Sequence, residues 1–332
     1  MTSLNSNDLD ALPAAPSLGA RLLRLTQFRE FILLMIIVLV SAAMSIASKD
    51  FFTEDNWLAM FLGVSVESIV AIGMTILMVS GGFDLSVGST TALAGAVTAF
   101  CLTQGLPVAV SIGAGLGVGA AIGVTNGLII AKIGINPFIT TLAMMSIVRG
   151  ILLPATEGKN IAGLPENFKI IGQGSVFDVQ YPIVIAAVLI LAGDLLLRKS
   201  RFFRQNYYIG GNEKAASLSG IPVDFIKVFN YALLGLLAAL AGIVMTARLG
   251  SASVTAGSGM ELNVITAVII GGASLQGGEG TVLGSFLGAL LMTIVVGSLT
   301  FLGVNPYWNT LVIGATLLIA VLIDTLGRRH RT

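Results

Sequence analysis

Apolar residues run along this chain in long stretches, and polar residues gather in the gaps between them. A helix needs roughly 20 apolar residues to cross a bilayer. Stretches of that order occupy 31–48, 57–80, 85–103, 107–131, 137–153, 181–197, 228–249, 281–300 and 307–326. A shorter one, 262–270, sits between glycines and is the eighth of ten in chain order. Two long polar stretches intervene, 154–180 and 198–227, and the second is the most basic part of the chain. The pattern predicts an all-α, polytopic membrane protein of about ten transmembrane helices.

Composition agrees. Hydrophobic residues make up 55% and charged residues 11%, against about 25% charged in a soluble domain. A soluble chain could not cover its surface with so few polar groups. The single histidine, His330, and the single cysteine, Cys101, exclude a His-based triad, a paired-His haem, a multi-ligand zinc site and an internal disulfide. No metal or cofactor is expected. A net charge of +1 gives no general attraction to nucleic acid. The start, 1–27, lacks the short apolar core and small-residue cleavage site of a signal peptide, so the first stretch reads as a retained span.

The position of the charge sets orientation, because Lys and Arg favour the cytoplasmic side. Ten spans with the N-terminus inside put Arg21, Arg24, Arg29, Lys132, Arg198, Lys199, Arg201, Arg204, Lys214, Lys227, Arg328, Arg329 and Arg331 in the cytoplasm. Lys49, Arg149, Lys159, Lys169 and Arg248 fall outside, 5 against 13 of the 18. An odd number of spans would strand the basic C-terminus on the wrong side. The expected organisation is a disordered cytoplasmic segment 1–27, a transmembrane domain 28–326 with a cytoplasmic loop 198–227, and a cytoplasmic tail 327–332.

Two spans end in related breaks. Gly81 to Gly88 (GGFDLSVG) recurs as Gly271 to Gly278 (GGASLQGG), 190 residues later (271 − 81). Paired interruptions at corresponding places point to a transporter's pathway; the alternative is two ordinary glycine turns. Both copies face the same side of the membrane in this topology, so they are not read as an inverted repeat. After Gly81-Gly82 stops its span, Asp84 or Ser86 can cap the next one, and Asn136 with Pro137 can open the fifth. Gly115, Gly119, Gly123 and Gly127, and again Gly280, Gly284 and Gly288, form four-residue ladders suited to close helix packing. Glu67 stands inside the second span as a proton site or as a hydrogen-bond partner for a neighbouring helix. Asp194 and Asp324 lie near cytoplasmic ends, and Arg149 and Arg248 lie near outer ends, where they can snorkel to water.

No P-loop occurs, so ATP is not bound here in that way. Within the basic loop, Asn212 to Pro222 reads as one short helix. Asn212 caps it, Glu213 suits its positive end, and Gly220 and Pro222 stop it. Small residues on one face could enter a groove on another protein.

Glu213-x-Ala215-Ala216-x-x-x-Gly220 resembles the EAA loop of bacterial ABC importer permeases. GGFDLSVGS at 81–89, NPFITTLAMMSIVRG at 136–150, IGGNEKAASLSGI at 209–221 and ELNVITAVIIGGASLQGGEGTVLG at 261–284 narrow the resemblance to permeases of ribose-, xylose- and arabinose-type importers. The resemblance runs from about residue 60 to the C-terminus and implies the following. Two permease chains, identical or paralogous, form a core in the bacterial inner membrane, with both termini cytoplasmic. A cytoplasmic ATPase docks on a coupling helix through Gly210, Gly211, Asn212, Glu213, Ala215, Ala216, Leu218, Ser219 and Gly220. A periplasmic or lipid-anchored sugar-binding protein delivers a monosaccharide or similar polyol outside. The chain itself is not an enzyme. A neutral polyol needs hydrogen-bonding groups without strong charge, which places Phe83, Asp84, Ser86, Ser89, Thr90, Asn136, Thr140, Thr141 and Gln276 on the expected pathway. The rival is an ATP-independent secondary transporter or channel using Glu67.

The topology yields a direct test. In a Cys101→Ser background, Lys159→Cys is expected to react with an impermeant thiol reagent from outside, and Arg204→Cys to stay unlabelled in intact cells.

Overall fold

The computed structural model describes residues 29–329; the segment 1–27 and His330 lie outside them. Apart from a hairpin of two two-residue strands, β1 (Ser175–Val176) and β2 (Val179–Gln180), the described residues are organised by helices. These are α1 (Arg29–Ala47), α2 (Glu54–Val79), α3 (Val87–Thr103), α4 (Val108–Leu128), α5 (Pro137–Ala155), α6 (Glu166–Gln173), α7 (Tyr181–Lys199), α8 (Arg201–Gly211), α9 (Glu213–Leu218), α10 (Val223–Leu249), α11 (Met260–Ile270), α12 (Val282–Phe301) and α13 (Trp308–Arg329). Eight are long and apolar enough to cross a membrane, and α3 and α11 are the two shorter apolar ones. The ten expected spans are therefore all helical, two of them short, in a multi-pass membrane protein. The structure corrects the basic loop: α7 runs on to Lys199, α10 starts at Val223, and most of the segment between is helix α8 and helix α9.

Local signals explain several boundaries. Asn136 Oδ1 accepts from Phe138 N at 2.8 Å and Pro137 opens α5, as its sequence predicts. The end of α4 widens into a π-turn (Ile129–Ile133), and Gly134 stops it in the left-handed region at φ 82°. Thr281 caps α12 by accepting from Gly284 N at 3.0 Å.

Helix α2 lies at the centre. It buries 89% of its apolar window, against 22% for α4 and for α5 and none for α13. Ile69, Met74 and Leu77 of α2 pack with Leu234 and Ala238 of α10 and with Val268 of α11. Outward rows such as Leu39 on α1, Ile139 on α5, Leu191 on α7 and Leu318 on α13 stay exposed on the protein. A bilayer solvates such rows, so they cost nothing there that they would cost in water.

Since lipid is as apolar as leucine, close backbone contact rather than the hydrophobic effect must join these helices. The α4 ladder supplies it. A Cβ at Gly119 would collide with the Gly235 carbonyl, one at Gly123 with the Tyr231 carbonyl, and one at Gly127 would fall 2.7 Å from Val228 Cα. Gly115 meets Thr98 and Ala94 of α3 in the same way. The ladder is thus a packing ridge between α4, α10 and α3. Gly284 and Gly288 press likewise on Gly271 and Ala267 of α11, but Gly280 corrects the second ladder: it precedes α12, at φ 145°.

Gly123→Val is expected to lower stability by about 1–3 kcal/mol or more, since the obstructing atoms are backbone. Gly117→Val, which faces open space, is expected to stay near wild type. Thermal unfolding of the two variants in detergent compares them.

Candidate functional site

The first break follows Val79. Gly81 takes φ 84°, Gly82 N donates back to Leu77 O at 3.0 Å, and Ser80 Oγ donates to the same carbonyl. These bonds close the end of α2. The loose Phe83 carbonyl accepts from Tyr231 Oη at 3.1 Å. Asp84 and Ser86 do not cap α3 in the expected way. Ser86 stands at the N-cap but its side chain makes no capping bond. Instead Asp84 Oδ1 accepts from Ser86 N and from Ser86 Oγ, both at 2.6 Å. Asp84 Oδ2 accepts from Asn126 Nδ2 at 2.9 Å, and that amide also reaches Ser86 Oγ at 3.1 Å. Asp84 is 3% exposed and Ser86 1%, so neither side chain faces an open passage in this chain. Both expected pathway positions act as a sealed knot, and Asn126 completes it.

The second break is closed by the same kind of bond. Gly272 takes φ 97° and Ala273 N donates back to Val268 O at 3.1 Å. The equivalent positions, Gly81 and Gly272, are one residue out of register with the sequence repeat. The two breaks touch. Gly278 N donates to Val79 O at 2.8 Å, and a Cβ at Gly277 would fall 2.7 Å from Gly210 Cα and 2.9 Å from Gly81 N. Gly210, at the end of α8, has space for no side chain, because Val79 and Gly278 occupy its Cβ position. Helix α8 holds both breaks by its other side chains. Tyr207 Oη donates to Gly280 O at 2.7 Å, and burial pushes its hydroxyl up, which keeps it a neutral donor. Asn230 Nδ2 donates to Asn206 Oδ1 at 2.8 Å and to Ser80 Oγ at 3.2 Å. Gln276 presents an exposed side chain, while Ser274 Oγ donates to Asp324 of α13 at 3.0 Å.

Immediately beyond Gly210 comes the expected docking helix. Asn212 Oδ1 accepts from Ala215 N at 3.0 Å, so the cap forms as read. Glu213 pairs with Lys227 at 2.7 Å, and Gly220 takes φ 84°. The small residues do not share one outward face. Ala216 is 4% exposed and packs with Ile209, Val223 and Ile226 of this chain, while Leu218 is 91% exposed. Gly211, Ala215 and Ser219 are also exposed.

Other expected pathway residues scatter. Asn136 is spent on its cap and Thr141 Oγ1 donates to Pro137 O at 2.8 Å. The Thr140 hydroxyl is buried without a partner among the described residues. Phe83 stacks obliquely near Phe138, ring centres 6.4 Å apart. Ser89 borders a cavity of about 360 Å³, with Met145, Ser146, Arg149, Ser258 and Glu261. Arg149 does not snorkel outward. Its Nη1 donates to Val254 O at 2.8 Å and to Ala256 O at 3.3 Å, and its Nη2 donates to Ala256 O at 3.3 Å. That clasp holds the loop 250–259, which also bonds Asn160 and Ile161 of the outer polar stretch. Asp194 is also tied up, pairing with Arg198 at 2.7 Å and accepting from Leu283 N at 3.1 Å. Glu67 Oε1 accepts from Asn263 Nδ2 at 3.3 Å, which is the helix-bridging role rather than an isolated acid.

A multi-pass helical body with two breaks meeting beside a capped surface helix has the layout of a transport permease. The chain belongs to the family described as branched-chain amino acid transport system / permease component, whose profile it matches over residues 56–321. It is 42% identical over 296 residues to the ribose import permease protein RbsC of Escherichia coli K12, covering 88% of this chain and 92% of that one. The RbsC of Bacillus subtilis is 40% identical, over 89% and 91%. The L-arabinose ABC transporter permease protein AraH of Azospirillum brasilense is 35% identical, over 90% and 88%. No solved structure matches the chain.

The knot at Asp84 makes its own prediction. Asn126→Ala removes a bond to a buried carboxylate, and bonds of that kind contribute about 1.5–3 kcal/mol. A lower midpoint in thermal unfolding is expected, partly restored in Asn126→Ala with Asp84→Asn, where no buried charge is left unpaired.

Proposed function

We propose that this chain is the membrane subunit of an ATP-driven importer for a monosaccharide or similar polyol. The observation that carries the reading is the likeness to ribose and arabinose permeases along about nine-tenths of the chain. The family description names branched-chain amino acids, but these closer relatives are named for sugars. In this reading two permease chains form the core of a bacterial inner-membrane complex, with both termini and the docking loop in the cytoplasm. ATP is hydrolysed by a separate cytoplasmic ATPase, and a binding protein delivers the solute outside. Residues 28–326 are the transmembrane domain, flanked by cytoplasmic segments.

The ATPase would bind the surface from Gly211 to Gly220, with Leu218 as its apolar anchor and Gly210 and Ala216 as inward supports. A nearly fully exposed leucine on a capped helix, at the cytoplasmic end of the charge distribution, supports that assignment. The solute would pass the broken segments, with Ser89 at the border of the cavity of about 360 Å³; Asp84, Ser86 and Asn126 would shape the passage from behind. The ATP-independent alternative is not favoured, since the chain is like ribose and arabinose import permeases along nearly its whole length, and Glu67 has a helix-bridging bond to Asn263.

Reconstitution with the ATPase and binding protein tests the whole reading: sugar uptake is expected to require hydrolysable ATP and to persist when the proton gradient is collapsed. Leu218→Asp is expected to weaken co-purification of the ATPase by roughly tenfold or more, the scale of an anchor residue, without loss of membrane insertion. Normal ATPase recovery with that variant would move the docking surface elsewhere.

A further inference from the structure

The cavity beside Ser89 gathers polar groups from three segments of the chain. It lies between the start of α3, the middle of α5 and the loop leading into α11. At about 360 Å³ it falls in the lower part of the roughly 300–1,000 Å³ range of small-molecule sites. Its polar groups are hydroxyls from Ser89, Ser146 and Ser258, the Arg149 guanidinium and the Glu261 carboxylate. Glu261 makes no hydrogen bond to another described residue. Its carboxylate rests against the first turn of α3, where a Cβ at Gly88 would fall 2.6 Å from Oε2. Substitution of Gly88 would therefore displace it.

Arg149 and Glu261 border the same cavity without forming an ion pair among the described residues. The guanidinium gives N–H groups to Val254 and Ala256 and has further donors left, since it carries five. A carboxylate accepts only, a guanidinium donates only, and a serine does both. A sugar hydroxyl also does both. Neighbouring hydroxyls on one ring can therefore donate to Glu261 while accepting from Arg149 or a serine. A zwitterionic amino acid would also match these two charges, so it is the likeness to ribose and arabinose permeases that favours a sugar here.

We propose that this cavity is a binding station for the transported sugar, with Glu261 accepting its hydroxyls. Ser89, Ser146 and Ser258 flank the ring, and Arg149 positions the 250–259 loop that forms one wall. The assignment rests on the permease reading and adds to it the residues that touch the cargo.

The test uses the full importer in proteoliposomes, with Cys101→Ser in the permease. Ser258→Cys is labelled with an impermeant maleimide in the presence of D-ribose, L-arabinose, leucine or sucrose. The sugar that the importer carries is expected to slow labelling several-fold while sucrose does not. Glu261→Gln is expected to reduce uptake by roughly tenfold or more, the equivalent of one bond to a charged group, while still co-purifying with the ATPase. Should Ser258→Cys fail to assemble, Ser146→Cys gives the same reading from the opposite wall. Unchanged labelling together with wild-type uptake by Glu261→Gln would overturn the station and leave the permease reading standing. Protection and uptake with leucine alone would overturn the polyol assignment. No ATP-dependent sugar uptake by the wild-type complex would instead sink the permease reading itself.

Discussion

A helix that stops within a membrane must hand its loose backbone groups to protein, because lipid accepts none of them. That constraint organises the centre of this molecule. The first break follows α2 and the second follows α11, and each closes the last turn of its helix before the remaining groups pass to a neighbour. Val79 O is met by Gly278 N, the Phe83 carbonyl by Tyr231, and the Gly280 carbonyl by Tyr207. The breaks can approach closely enough for this because glycine occupies 210 and 277, where a Cβ would strike the facing backbone, while Gly81 and Gly278 take the left-handed φ that their turns require.

From that arrangement follows the place of α8. It is amphipathic, and its last turn is wedged against both breaks through Gly210. The docking helix α9 begins two residues later, so the surface read as the ATPase contact and the interrupted segments share one short piece of backbone. A second tie lies nearby, where Glu30 of α1 accepts from Thr281 at 2.9 Å and from Arg198 at 3.2 Å. Exposed ion pairs of this kind contribute little stability. Their effect is to fix how α1, α7 and the start of α12 sit relative to one another.

Much of this was legible in the residues. Long apolar runs gave the number of spans, the glycine ladder on α4 gave a packing ridge, and Asn212 and Asn136 gave their caps. These are signals of local chemistry or of period along one helix. The misreadings share a different cause. Asn126 escaped notice because it lies within the glycine ladder, and only the fold brings it to Asp84, 42 residues away. Arg149 suggested snorkelling because its partners, Val254 and Ala256, are distant in sequence. Ala216 belonged to an outward motif, yet a six-residue helix has two sides and Ile209 and Val223 cover one of them. Glu261 opens the motif at 261–284, but nothing local to it shows that the fold sets it across a cavity from Arg149.

The closure of the first break also has a consequence for the order in which the chain is made. Synthesis delivers residues from the N-terminus onward, and domains begin to fold as they emerge. Gly81 to Ser86 enters the membrane long before its partners do. Asn126 follows 42 residues after Asp84, Tyr231 arrives 148 residues after Phe83, and Asn230 arrives 150 after Ser80. Gly278, which takes the Val79 carbonyl, comes later still. Until then the interrupted segment must borrow water or a chaperone for its polar groups, so a ribosome stalled before residue 278 leaves an insertion intermediate with an open wound at its centre.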